Sequence, residues 1–162
     1  MKKRLLFVCL GNICRSPAAE GVIKSIVWDK FVDDEYEIDS AGIGSWHAGE
    51  LPDRRMRQCG AKRGYNFNSR ARQFKTDDFD RFDYILVMDA ENEKDVRAKA
   101  RNASDVQKIR RLSDYLTLHE GTRTIPDPYY GGDRDFEYAL DLIEDACKGL
   151  FNKLQAESND FE

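Results

Sequence analysis

The segment Cys9-Leu10-Gly11-Asn12-Ile13-Cys14-Arg15-Ser16 sets a thiol and a guanidinium at either end of five intervening residues. A loop of that length can curl its backbone N–H groups toward one point, and a helix starting behind it adds unpaired donors and a partial positive charge. Leu10, Gly11, Asn12, Ile13, Cys14 and Arg15 would then cradle one phosphate-sized dianion. Arg15 can meet two of its oxygens with a planar fork that lysine cannot reproduce. The same donors favour a thiolate at Cys9, and the thiolate is the nucleophilic form of cysteine. A bare Cys-to-Arg spacing recurs by chance, and a cysteine closing an apolar strand is commonly inert packing. The context raises the catalytic reading: an apolar strand before, Gly11 within, and Ser16-Pro17 after. A Walker loop is excluded because no Gly-Lys-Ser/Thr ending is present, and a dinucleotide loop would need further glycines.

Elements that position these residues follow from periodicity. Leu5 to Cys9 is a continuous apolar run, as expected of a central strand covered on both faces. Ser16 reads as an N-cap and Pro17 as a first-turn proline, opening a helix on Ala18, Ala19, Val22, Ile23, Ile26 and Val27. Further strands are predicted over Glu35 to Ile43, Asp83 to Asp89 and Val106 to Leu112, and further helices over Pro52 to Arg63 and Ala90 to Ala100. Tyr65 to Phe74 fits neither pattern. Phe136, Ala139, Leu140, Ile143, Ala146, Cys147, Leu150, Phe151 and Leu154 recur at three and four residues, which predicts a long amphipathic last helix. Strands alternating with helices predict an α/β fold, a doubly wound three-layer sandwich with a central four-stranded parallel sheet flanked by helices on both faces. Such sheets bind ligands beyond the carboxyl ends of their strands. Cys9, Ser40, Asp89 and the loop Pro126-Asp127-Pro128-Tyr129-Tyr130 can therefore meet in one crevice.

The chain has 162 residues, enough for one domain with a core that needs no staples. We take 1–156 as that domain and 157–162 as an acidic, frayed tail. With 26 Lys+Arg against 30 Asp+Glu, the net charge of −4 provides no broad field for nucleic acid or an anionic membrane. The apolar run near the N-terminus is too short for a signal peptide, no stretch approaches a membrane span, and the cytoplasm is the expected compartment. Four cysteines (Cys9, Cys14, Cys59, Cys147) are too few for a secreted disulfide scaffold, and two histidines without a Cys-x-x-Cys pair predict no metal site and no cofactor. His119 carries no signal.

The segment Val8 to Ala18, VCLGNICRSPA, with Asp127-Pro128-Tyr129-Tyr130, closely resembles the low-molecular-weight protein tyrosine phosphatases. Ser40-Ala41-Gly42, Ala71-Arg72-Gln73, Phe82-Asp83-Tyr84-Ile85-Leu86 and Met88-Asp89 match the family's further landmarks in the same order, so the resemblance covers nearly the whole chain. It implies that Cys9 attacks phosphorus to give a phosphocysteine, with Arg15 and the loop amides stabilising the transition state. Ser16 would donate its hydroxyl to the Cys9 sulfur, and Asp127 would serve as general acid and then general base. Trp46, Tyr129 and Tyr130 resemble the family's aromatic walls, with His47 either tuning the rim or simply solvated. Asn12 and Ser40 resemble supports of the cradle, Asn12 tolerating a left-handed backbone. Asp89 belongs to that support or caps the next helix. Cys14 is either a redox partner of Cys9 or a small residue filling the loop. The implied partners are phosphotyrosine-containing proteins, with inorganic phosphate and similar oxyanions as product-like inhibitors; a monomer is the expected state.

One departure stands out: Ser69 occupies the place where many relatives carry a histidine that bonds to Asn12. Three other readings share parts of the pattern. A protein-arginine phosphatase of this family has threonine where this chain has Ile13, and an arsenate reductase would need a further redox pair of cysteines, for which Cys59 and Cys147 are poorly placed. A silent phosphate-binding module would need neither Cys9 nor Asp127.

Overall fold

Leu5, Phe7 and Cys9 face one side of the first strand and Leu6 and Val8 the other, and all five are buried because both sides are covered. The computed structural model describes residues 2–159. In chain order these form β1 (Lys3–Cys9), α1 (Arg15–Asp29), β2 (Tyr36–Gly42), α2 (Arg54–Lys62), α3 (Asp78–Arg81), β3 (Tyr84–Val87), α4 (Ala90–Arg97), α5 (Ala103–Gln107), β4 (Ile109–Arg111) and α6 (Asp133–Asn159). The four strands make one parallel sheet in the order β2-β1-β3-β4, with Leu5 opposite Ile38 and Tyr84 in register. The expected doubly wound architecture is present.

Each face has its own core. On one, Leu5, Phe7 and Leu86 pack against Val22 and Ile23 of α1 and against Phe136, Leu140, Ile143 and Leu150 of α6. On the other, Leu6, Val8, Ile85 and Val87 meet Phe74, Phe79, Phe82 and Val96, with Phe74 and Phe79 edge to face at 5.4 Å. Since α1 leaves β1 toward one face and α4 leaves β3 toward the other, a crevice opens between the carboxyl ends of β1 and β3. Cys9 and Asp89 stand at those two ends.

Several boundaries differ from the sequence expectations for local reasons. The apolar run from Val106 predicts a strand, yet Val106 lies in α5, because the Asn102 side chain accepts from Asp105 N at 2.9 Å and caps a helical turn there. Only Ile109–Arg111 remains for β4, and Leu112 begins a 3₁₀ turn. Helix α2 starts at Arg54, after Pro52, because Asp53 is its N-cap. Ser16 is not an N-cap: α1 begins at Arg15 with no side-chain cap, since the Ser16 hydroxyl turns to Cys9 instead. Residues 65–74 form neither helix nor strand; the segment joins the sheet through the bridge between Gly42 and Gln73, through Arg72 to Asp39 of β2 and through Phe74 packed on Leu6 and Val8. Helix α6 continues through Asn159, and 160–162 of the expected tail lie outside the described residues.

His119, silent in the sequence, has a structural partner. Its Nδ1 lies 3.0 Å from Oδ2 of Asp145, a buried residue of α6 that also accepts from the Thr117, Leu118 and His119 amides. Burial would raise the Asp145 pKa, but His119, Thr117 and the amides hold it at about 2. Because the folded value lies below the unfolded value of about 3.9, the stability this carboxylate contributes is complete above that pH and is lost as pH falls through about 2. Urea titrations from pH 5 to pH 2 should therefore show a steeper loss of stability in the parent chain than in Asp145→Asn; parallel losses would refute this.

Candidate active site

The loop after β1 is shaped by what lies beneath it. Gly42, at the end of β2, sits so close that an added Cβ would stand 2.9 Å from Asn12 N and from Gly11 C, so only glycine lets the loop settle on the sheet. Asn12 adopts φ 57°, the left-handed region that asparagine tolerates better than most residues. In this conformation the amides of Gly11, Asn12, Ile13, Cys14 and Arg15 donate to no protein acceptor among the described residues. The Ser16 amide lies 3.4 Å from Cys9 Sγ. A row of unspent donors at the start of a 15-residue helix is an anion site in the physical sense.

The Asn12 carboxamide holds the loop from inside. Its Nδ2 donates to Ser16 Oγ at 2.8 Å and to Ser40 Oγ at 2.9 Å, while its Oδ1 accepts from Arg72 N at 3.0 Å. With its oxygen already receiving a proton from Asn12, Ser16 is free to give its own to Cys9 Sγ, 3.0 Å away. Ser40 in turn donates to Glu20 Oε1 at 2.5 Å, and the other oxygen of buried Glu20 accepts from Lys24 at 2.5 Å. A buried polar chain therefore runs from the helix surface to the sulfur. Ser69 makes no hydrogen bond to Asn12 among the described residues; the Arg72 amide takes the Asn12 oxygen. Arg72 is itself fixed by Asp39 and by buried Asp78.

Arg15 is 2% exposed. Its Nη1 donates to Asp89 Oδ2 at 2.6 Å and to the Ile125 carbonyl at 2.8 Å, its Nη2 lies 3.6 Å from Asp127 Oδ2, and its Nε has no partner. Burial alone would lower its pKa, but Cys9, then Asp89 and Asp127, carry it above the ordinary value, so the cation persists. Asp89 does both jobs left open by the sequence: Oδ2 holds Arg15 while Oδ1 accepts from Asn92 N at 2.8 Å and caps α4.

Asp127 reaches the same cavity from a loop pinned at its base. Buried Ile125 donates to the Met88 carbonyl at 2.9 Å, and Asp127 Oδ1 accepts from Tyr129 N at 3.1 Å. The cavity, about 320 Å³, is lined by Cys9, Ile13, Arg15, Trp46, His47 and Asp127, with Tyr129 and Tyr130 completing the wall. Trp46 and Tyr130 are 70% and 95% exposed, while the Tyr129 and Tyr130 rings meet edge to face at 4.9 Å. Packing in the core would hide them; they stand at a rim. His47 is part of that rim and pairs with Glu50 at 2.6 Å. All proposed site residues thus converge, with Leu10, Gly11 and Cys14 on the cavity wall and Ser40 beneath it.

Some contributors escaped the sequence reading. Asp53 N donates to the Ile13 carbonyl at 2.7 Å, and the Asp53 side chain holds Arg55, whose Nη2 donates to the Tyr129 carbonyl at 2.9 Å. Arg55 also lies over Tyr129 and Phe136 at 5.6 and 4.5 Å. Asp53 and Arg55 thereby strap the cradle to the aromatic loop. Their signal was local only: an Asp at a helix start. Glu20 and Lys24 could have been noticed as an acid on an otherwise apolar helix stripe with a base four residues on. The four cysteines are free and buried. Burial pushes the Cys14 thiol well up, with Asp53, Cys9 and Asp127 adding to the shift, and burial likewise raises Cys59 to about 12. Among the described residues no helix is long and apolar enough to cross a membrane.

Residues 4–160 match the sequence model described as low molecular weight phosphotyrosine protein phosphatase. A chicken (Gallus gallus) low molecular weight phosphotyrosine protein phosphatase is 42% identical over 93% of this chain and 95% of its own. A crystal structure of a protein tyrosine phosphatase from Entamoeba histolytica superposes with a TM-score of 0.92 at 43% identity, covering 97% of this chain and 99% of that one. The crystal structure of a Drosophila arginine phosphatase is also similar, with a TM-score of 0.86 at 34% identity over 95% of this chain and 98% of that one.

Proposed function

This chain belongs to the low molecular weight phosphotyrosine protein phosphatase family, and from that footing we propose that it hydrolyses phosphotyrosine in proteins through a phosphocysteine on Cys9. The observation that carries the reading is Arg15 on the same cavity wall as Cys9: its Nη1 is spent on Asp89 and Ile125, its Nε has no partner, and its Nη2 meets only Asp127 Oδ2, at 3.6 Å, so both are left for a phosphoryl group. Two phosphoryl oxygens fit that pair of donors. The unspent amides of Gly11 to Arg15 serve the remaining phosphate charge.

In the first step the Cys9 thiolate attacks phosphorus, the P–O ester bond breaks, and the phenolic oxygen takes its proton from Asp127. In the second, water attacks the phosphocysteine while Asp127 accepts its proton. The S–P bond then breaks and its electron pair stays on sulfur, giving a thiolate that accepts a hydrogen bond from the Ser16 hydroxyl. Charge spreads over the equatorial oxygens in both transition states, and Arg15 with the amides is already oriented toward them. Trp46, Tyr129 and Tyr130 supply the faces against which an aryl ring lies. Ile13 on the same wall suits a phenyl ring better than a guanidinium, which favours phosphotyrosine over phosphoarginine. The Cys14 thiol, held protonated by burial, would attack an oxidised Cys9 slowly. Free thiols suit a reducing compartment such as the cytoplasm.

Purified protein should release phosphate from p-nitrophenyl phosphate and from a phosphotyrosyl peptide, unchanged by chelator, and mass spectrometry after rapid acid quench should place a phosphoryl group on Cys9. No release, or faster turnover of phosphoarginine, would overturn the reading. Asp127→Asn should lower kcat by about 10² to 10³ on phenyl phosphate, whose leaving group needs the proton, and much less on p-nitrophenyl phosphate, whose leaving group does not. Equal losses on both substrates would remove Asp127 from the acid role.

A further inference from the structure

Past His47 and Tyr129 the active-site wall continues into a second, open depression of about 550 Å³, lined also by Arg54, Arg57 and Arg70. It shares Ile13, His47 and Tyr129 with the phosphate cavity, so a chain bound in one passes directly into the other. The three arginines differ from most of the chain's arginines in having no carboxylate partner among the described residues. Arg4, Arg15, Arg55, Arg63, Arg72 and Arg101 all pair with carboxylates. Arg54, Arg57 and Arg70 form no salt bridge among the described residues, although acidic side chains outnumber basic ones by 30 to 26. Two are aimed by backbone carbonyls: Arg57 Nε donates to Pro52 O at 2.9 Å and Arg70 Nη1 to Gly49 O at 3.2 Å. Their other N–H groups remain free to donate. The two carboxylates in the depression are already used, Glu50 by His47 and Asp53 by Arg55. With Asp53 offset by Arg55, the three arginines outnumber the remaining carboxylate, Glu50, and leave this end of the substrate cavity net positive.

We infer that this depression is a specificity subsite for acidic residues flanking the phosphotyrosine of a protein substrate, with Arg54, Arg57 and Arg70 receiving Asp or Glu carboxylates. The inference rests on the phosphatase reading above and names its substrate class. An extended substrate advances about 3.3 Å per residue, so the side chains next to the phosphotyrosine are those that come to lie over the depression. Exposed pairs of this kind contribute modestly one by one, but three acting together yield about a tenfold preference that weakens with salt. The effect belongs in KM, because the arginines touch the flank and never the reacting phosphorus.

The test compares three phosphotyrosyl peptides, one with acidic residues on the N-terminal side, one with them on the C-terminal side, and one with Asn and Gln in their places. Each is assayed with the parent protein and with R54Q/R57Q/R70Q, alongside p-nitrophenyl phosphate. The parent should turn over at least one acidic peptide about tenfold faster in kcat/KM than the neutral one, less so at 0.5 M salt. The triple variant should lose that preference through KM while keeping its kinetics on p-nitrophenyl phosphate, which also shows that it is folded. Equal kcat/KM for all peptides with the parent protein, or an undiminished preference in the variant, overturns this inference alone. Absence of aryl phosphate turnover by the parent protein overturns the phosphatase reading and this one with it.

Discussion

Cys9→Ser is expected to abolish turnover, with kcat reduced by about 10⁴ or more. The substitution exchanges one sulfur for one oxygen, and the oxygen enters a site already built for it sterically: buried, at the end of β1, 3.0 Å from the Ser16 hydroxyl. What changes is the proton. A serine hydroxyl keeps it at neutral pH, and the groups within hydrogen-bond reach of this position, the Ser16 hydroxyl and the Ser16 amide, are not bases that could remove it. Arg15 and the free amides are untouched, so phosphate and substrate should still bind. Calorimetry with inorganic phosphate should find affinity within a few-fold of the parent chain, while stopped assays on p-nitrophenyl phosphate should find no release above background. Residual activity above about a hundredth of the parent rate would show that another group attacks phosphorus.

Arg15→Lys is the second large effect, and it separates charge from geometry. Lysine preserves the cation but offers a point charge in place of a planar fork, and it cannot hold Asp89, the Ile125 carbonyl and two phosphoryl oxygens together. Loss of two transition-state donors should lower kcat by about 10³, by comparison with the 10² to 10³ associated with a single oxyanion donor. A stability cost of about 1 to 3 kcal/mol should accompany it, because buried acceptors lose their partner. Measuring kcat, KM and Tm on the same preparation distinguishes the two. A rate within tenfold of the parent would mean that charge alone suffices and that the fork is irrelevant.

The cradle was legible because its information is local: eight consecutive residues carry the proposed nucleophile and clamp, the left-handed turn at Asn12 and the hydroxyl at Ser16. The parallel sheet and its two-faced core were legible for a similar reason, since Leu5 to Cys9 and Tyr84 to Met88 are uninterrupted apolar runs, whereas the strand order was not, because pairing joins residues far apart in the chain. Errors arose where one side chain had two possible partners. Ser16 has the residue type and position of an N-cap, but a buried sulfur 3.0 Å away competes successfully for its hydroxyl. Val106 has a strand-forming side chain, but the cap made by Asn102 decides the backbone around it. Glu20, Lys24, Asp53 and Arg55 were missed because each acts at a distance of many residues, through Ser40 or through the Ile13 and Tyr129 carbonyls, and no short pattern encodes such a tie. Asp89 shows the opposite case: two readings looked exclusive, and its two oxygens satisfy both.

The bond from Arg15 to the Ile125 carbonyl has a mechanical consequence. The proposed phosphate clamp and the loop that carries Asp127 are joined through one guanidinium, and the prolines at 126 and 128 stiffen the short span between them. Many enzymes bring their acid to the substrate with a closing lid, and the lid's opening then limits the turnover rate. Here Asp127 already lies 3.6 Å from the Arg15 guanidinium, so in the proposed reaction the acid needs no closing lid to reach the phosphate site. The proposed acid therefore shares its position with the phosphate clamp, while the exposed rings of Trp46 and Tyr130 border the opening.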